Sequence, residues 1–185
     1  MPLPTPAKRV QQHTRTVICK GYLREDGLWD IEGHMTDVKD NDMLSKDRTQ
    51  GLIRAGEFIH DMALRITIDM NLNIVDAVAT MDSTPFQHCK EITNSYKQLI
   101  GLQIKPGFTK QTKALFAGVS GCTHLLELLG PIATTAFQTT FQARDKAESW
   151  EEGSTLPLIM NSCHSWDQKG PVVQQFWPHF AKFDE

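Results

Sequence analysis

The sequence predicts an α+β fold, an antiparallel sheet of two hairpins with helices packed on one face. Three observations lead there. Residues 62–69 alternate apolar Met62, Leu64, Ile66 and Ile68 with Ala63, Arg65, Thr67 and Asp69, the period-two pattern of a half-buried strand. Glu25-Asp26-Gly27 is a turn signal between two strand-like runs. After Thr84 the apolar spacing becomes helical, so strands come first and helices follow, as in folds whose helices cover one side of an antiparallel sheet.

Taken in order, residues 1–12 carry proline and polar side chains and read as a flexible arm. Residues 14–24 and 28–38 form the first expected hairpin around Gly27. The polar stretch 37–54 reads as a long surface loop. The strand through 58–69 turns at Met70-Asn71-Leu72-Asn73 and returns through 74–80. Thr84-Pro85-Phe86-Gln87 has the pattern of a helix start, with threonine as cap, proline at the first helical position and glutamine three residues after the cap. Cys89, Ile92, Tyr96 and Leu99 then share one face, and Gly101 ends the helix. A short helix is expected over 109–116. A longer one should open at 118–121, with Leu125, Leu128, Leu129, Ile132 and Ala136 as its apolar stripe and Pro131 kinking or splitting it. The expected organisation is the arm 1–12, a core domain 13–146 and a C-terminal strap 147–185 packed on the core.

Composition narrows the function classes. The 185 residues are 40% hydrophobic and 22% charged, an ordinary globular mixture able to build a core. A net charge of −3 and pI near 6.2 give no field that would draw nucleic acid. No apolar run approaches the roughly 18 residues that span a bilayer, so neither a membrane nor a nucleic acid is the expected partner. Residues 1–12 do not read as an apolar signal-peptide segment, and a cytoplasmic location is expected. The four cysteines, Cys19, Cys89, Cys122 and Cys163, are widely spaced and read as free thiols. Homo-oligomer formation is left open.

The expected chemistry centres on Ser120-Gly121-Cys122-Thr123-His124, a thiol and an imidazole two residues apart where a turn enters a helix. The positive end of the helix favours a thiolate, and a neutral imidazole can accept its proton or bind a metal. His60 shares the parity of Met62 and Leu64, so it should face inward and complete a catalytic set of His60, Cys122 and His124. The same three with Asp82 are the candidate metal ligands, for a single zinc or iron ion. Tyr22, Arg24, Trp29 and Arg65 are candidate substrate-binding residues, an arginine beside aromatic rings suiting a carboxylate or an aromatic acid. Cys163-His164 is a further neighbourhood, but adjacent residues on extended chain point opposite ways. Phosphate-loop, dinucleotide and G-x-S-x-G patterns are missing from the chain.

Arg15, Gly21-Tyr22-x-Arg24-x-Asp26-Gly27-x-Trp29, His60 and Gly121-Cys122-Thr123-His124-Leu125 resemble an uncharacterised bacterial domain family, over most of the chain. That resemblance implies no assigned activity. Gly56-x-x-x-His60-x-Met62-x-Leu64, the strand ending Asp76-Ala77, the helix ending at Gly101 and the Cys122-x-His124 helix are similar in layout to iron–sulfur scaffold proteins of the NifU and IscU kind. The layout implies that His60 stands at the first cysteine's position and Cys122 with His124 at the last. The middle position falls at Thr84-Pro85, which offers no good ligand, so one metal ion suits the set better than a cluster. Three functions follow. One is an enzyme of lyase, isomerase or hydrolase type acting on a small organic acid, aromatic acids included. The second is a non-catalytic metal or iron–sulfur carrier, and the third is a binding module in which the histidines and cysteine are structural.

Overall fold

A computed structural model describes residues 3–145, 156–157 and 159–183. The first hairpin pairs β1 (His13–Leu23) with β2 (Trp29–Lys39), and Gly27, at φ 82°, makes the turn. A tiny second sheet, β3 (Met43–Leu44) with β4 (Leu52–Ile53), follows. The second long hairpin pairs β5 (Phe58–Ile68) with β6 (Ile74–Ser83). The main sheet has the order β1-β2-β5-β6, antiparallel throughout. The expected α+β class is therefore observed, with the small sheet as an addition. Asp69 shapes the second hairpin's turn, accepting from the Asn71 and Asn73 amides and holding Leu72 at φ 62°.

Inward parity in the sheet falls on Ile31, Met35, Met62, Leu64 and Ile66, all fully or almost fully buried. Helices close the other side of this core. The first, over Gln87–Leu99, is wound as a 3-10 helix and not as an α-helix, with Tyr96 and Leu99 buried three residues apart as that winding requires. Its cap is Phe86. Thr84 instead turns its hydroxyl onto the Phe86 carbonyl at 2.8 Å, so the threonine-cap reading is corrected. Two α-helices follow, α1 (Phe108–Phe116) and α2 (Thr123–Asp145). Pro131 lies inside α2 without splitting it. Leu125, Leu128, Leu129, Ile132 and Ala136 are buried, as their spacing predicts.

Two glycines let α2 lie close against the sheet. A side chain at Gly33 would meet Ile132, and one at Gly21 would collide with Thr139. The helix therefore runs alongside β1, with Glu127 near Arg15 at one end and Thr139 near Gly21 at the other.

The stretch 37–54 departs most from expectation. Asp37 belongs to β2 and is buried, as are Ser45 and Ile53. The segment docks through polar side chains onto the chain after β6. Ser45 donates to the Pro85 carbonyl, Arg48 to the Thr84 carbonyl, and Asp47 accepts the Gln87 amide. A count of polar residues suggested solvent because these side chains are polar; they are used instead to satisfy backbone groups.

The chain divides into two compact units, Met1–Thr140 and Phe141–Glu185. Within the second, α3 (Pro171–Phe176) and short 3-10 turns surround Met160, Val173 and Phe180. Part of the expected strap lies outside the described residues. Among those described, no helix is long and apolar enough to cross a membrane.

The segment leading into α2 is locked from both sides. The buried Tyr96 ring stacks on Phe116, and its hydroxyl both donates to the Cys122 carbonyl and accepts the Cys122 amide. Gly121 packs so tightly on Phe116 that a methyl group would collide with the Phe116 carbonyl. A Gly121→Ala variant should lose about 1–3 kcal/mol of stability. Urea unfolding will read this as a lower midpoint at constant slope; an unchanged midpoint would show that the contact is not tight.

Candidate active site around Asp37, His60 and His124

The site begins as one row across three strands. The register sets Arg15 opposite Asp37, and Asp37 opposite His60, all on the inward face. Residues directly opposed in such a sheet have Cβ atoms about 5 Å apart, so a cation, a carboxylate and an imidazole are brought together by pairing alone. Two bulges flank His60. Ile59 is the extra residue against β2, and Asp82 is the extra residue between the Met62–Met81 and Asp61–Ser83 pairs. Bulges of this kind re-aim neighbouring side chains and end regular pairing.

Asp37 is the hub, with 2% of its side chain exposed. Arg15 grips it in bidentate fashion, Nε to Oδ1 at 2.8 Å and Nη2 to Oδ2 at 2.9 Å. His13 Nε2 reaches Oδ1 and His60 Nδ1 reaches Oδ2, each at 2.9 Å. A carboxylate has about four acceptor positions, and all are used. Burial alone would push the Asp37 carboxyl up, but the hydrogen bonds and charges of Arg15 and His60 outweigh it and bring it down to about 2. Asp37 is thus ionised and accepts only, so His60 must carry its proton on Nδ1 and present a free lone pair at Nε2.

His124 lies in the first turn of α2 and meets His60 with ring centroids 3.9 Å apart, tilted by 37°. Glu127, three residues on along the same helix face, pairs with Arg15. Both imidazoles have pKa values below the ordinary 6.5. For His60 burial is the main cause, opposed by Asp37 and aided by the positive charges of Arg15 and Arg48. For His124 the causes are burial, then His60 and Arg15. Two neighbouring imidazoles are therefore neutral at neutral pH, and one has its basic nitrogen set by a carboxylate.

Cys122 immediately precedes α2, and its Sγ lies 3.9 Å from His124 Nδ1. Among the described residues, Asp37, His60 and His124 form the group whose potential ligand atoms all lie within 4.8 Å of one another. Cys122 is adjacent to that group without joining it.

The other expected site residues lie elsewhere. Asp82 is exposed at its bulge and is not a member of the group formed by Asp37, His60 and His124, where the sequence places it as a metal ligand. Trp29 pairs with Ile68, eight residues along β5 from His60, or about 26 Å. Tyr22 and Arg24 belong to that same remote end, where Arg24 is held by Asp26 and Asp30. Arg65 is exposed and faces away from the core. These four do not form a substrate site with His60. Cys163 and His164 are both exposed in the second unit. The site residues that sequence reasoning missed are Asp37, His13, Arg15, Arg48 and Glu127. For Asp37 a signal existed, since it continues the inward parity of Ile31, Gly33 and Met35.

A family model described as "Protein of unknown function (DUF2889)" matches residues 13–138. No curated protein and no solved structure matches the chain.

Acid stability follows from the hub. The Asp37 carboxyl ordinarily titrates near 3.8 and here near 2, so its contribution is complete above pH about 4 and is lost as pH falls through about 2. Linkage puts this at roughly 2 kcal/mol. Unfolding midpoints measured from pH 5 down to pH 2 should fall in the native protein, with a shallower fall in a folded Asp37→Asn variant. Parallel curves would mean that Asp37 is not the group responsible.

Proposed function

The chain belongs to this family of unknown function, and from its site we propose that it is an enzyme using His60 as a general base, positioned by Asp37, on a small organic acid. The observation that carries the reading is the saturated Asp37 carboxylate bonded to His60 Nδ1, which leaves Nε2 unprotonated beside a second neutral imidazole. A base works best when its pKa lies near or below the working pH, and the lowered His60 value meets that condition at neutrality. Nε2 takes a proton from the substrate, and the imidazolium formed is stabilised by the Asp37 carboxylate, which Arg15 holds in place. His124 is the neighbouring group able to relay or return that proton. Cys122 lies next in line through His124 Nδ1. Proton abstraction and return is the shared step of lyase, isomerase and hydrolase chemistry, which is the class proposed.

Purified protein incubated with a panel of small carboxylic acids should convert one of them. A His60→Ala variant with unchanged circular dichroism should lose at least about a hundredfold in rate. The native rate should fall on the acid side with an apparent pKa below 6.5, since protonating His60 removes the base. Full activity in His60→Ala would refute the assignment.

A second reading is favoured by the close approach of potential ligand atoms on Asp37, His60 and His124. Here His60 Nε2 and His124 would hold a single zinc or iron ion. Asp37, its acceptor positions already filled, would orient His60 from behind, as carboxylates commonly do for metal-bound histidines. The ion would serve either a Lewis-acid enzyme or a carrier. Elemental analysis of protein prepared without chelators should then find about one equivalent of metal, reduced in His124→Ala; a metal-free result under those conditions would remove this reading.

A further inference from the structure

Beside the first unit's small sheet lies a groove of roughly 510 Å³ that contains none of the imidazoles. Its size falls in the range of small-molecule sites, on the order of 300–1,000 Å³. Arg48 and Arg54 supply positive charge, Glu57 a single negative charge, and Leu52 and Phe58 an apolar wall.

Arg48 is the unusual member. Its Nε donates to the Thr84 carbonyl at 2.9 Å and its Nη2 to the Phe58 carbonyl at 2.8 Å. Those neutral acceptors fix the guanidinium in the gap where β6 has ended and β5 is just beginning. Among the described residues, neither Arg48 nor Arg54 forms an ion pair with a carboxylate. Glu57 turns its Oε2 to the Arg54 amide instead. A half-buried guanidinium that, among the described residues, is held by two carbonyls and no carboxylate is a cation prepared for an anion that comes from outside.

We propose that this groove binds the carboxylate of a small monoanionic organic acid with an apolar body, and that Arg48 is the residue that reads the charge. Two arginines less one glutamate leave the lining one positive charge in excess, which matches a carboxylate and not a phosphate dianion. Phe58 is 44% exposed and offers the apolar contact. Arg48 also lies near the strand that carries His60, since it donates to the carbonyl two residues before that histidine. The binding does not depend on His60 being the base.

The test uses the full chain with benzoate, its uncharged isostere benzamide, and inorganic phosphate, followed by calorimetry and by NMR shifts. Benzoate is expected to bind, with shifts centred on Leu52 and Phe58, and more tightly than either comparison probe. Arg48→Gln should weaken it by about tenfold or more. Because that variant also loses two structural hydrogen bonds, Arg54→Gln, on an exposed side chain, provides a fold-neutral check and should weaken binding severalfold. Equal binding of benzamide, tighter binding of phosphate, or unchanged affinity in both variants would each overturn the proposal. The two proposals separate cleanly. Benzoate binding with full turnover in His60→Ala would remove the base and keep the groove, while His60-dependent turnover without benzoate binding would do the reverse.

Discussion

A buried carboxylate is costly unless every acceptor position is filled and its charge is balanced, and Asp37 meets both conditions through four donors from three side chains. Two of those side chains come from β1 and one from β5, so the hub ties the three strands of the sheet together at one end. A shift of one residue in either pairing would turn Arg15 or His60 to the opposite face and leave the carboxylate unsatisfied. The register and the chemistry are therefore two aspects of one arrangement. Glu127 extends it to α2, since Arg15 reaches both carboxylates at once.

Packing explains why α2 arrives where it does. Gly21 and Gly33 remove side chains from the sheet surface beneath the helix, so Thr139 and Ile132 settle close to it. At the other end, Tyr96 and Phe116 secure the segment through Cys122 by backbone hydrogen bonds and close contact. With both ends held, His124 in the first turn comes to rest against His60. The imidazoles then lose water to the surrounding core, and the loss of water is the main reason that each resists protonation. Chemical character in this site is thus a consequence of helix docking as much as of residue identity.

The stretch between β2 and β5 has a similar double role. Its polar side chains close open carbonyls and amides beyond β6, and in doing so they fix Arg48, which has no ion pair among the described residues. Satisfying the backbone and preparing a cation are achieved by the same two hydrogen bonds.

The sequence by itself determined the fold class, the two long hairpins and the helix faces, because period-two and helical spacing depend on neighbours a few residues apart. His60 could be read as inward-facing from Met62 and Leu64, and the Cys122–His124 pair from its position at a helix start. Local pattern did not identify the 3-10 winding of residues 87–99, the use of Thr84, or the continuity of α2 through Pro131. Only the tertiary structure decided which groups meet. Arg15, Asp37, His60 and Glu127 are spread over more than a hundred residues, and they converge through strand register and helix docking, which are long-range properties. Asp37 was passed over for that reason, since an aspartate followed by a polar stretch looks solvated until its partners from other strands are known. The same holds for Arg24 and Arg65, whose side chains resemble ligand-binding ones in sequence but lie at the far end or the outer face of the sheet.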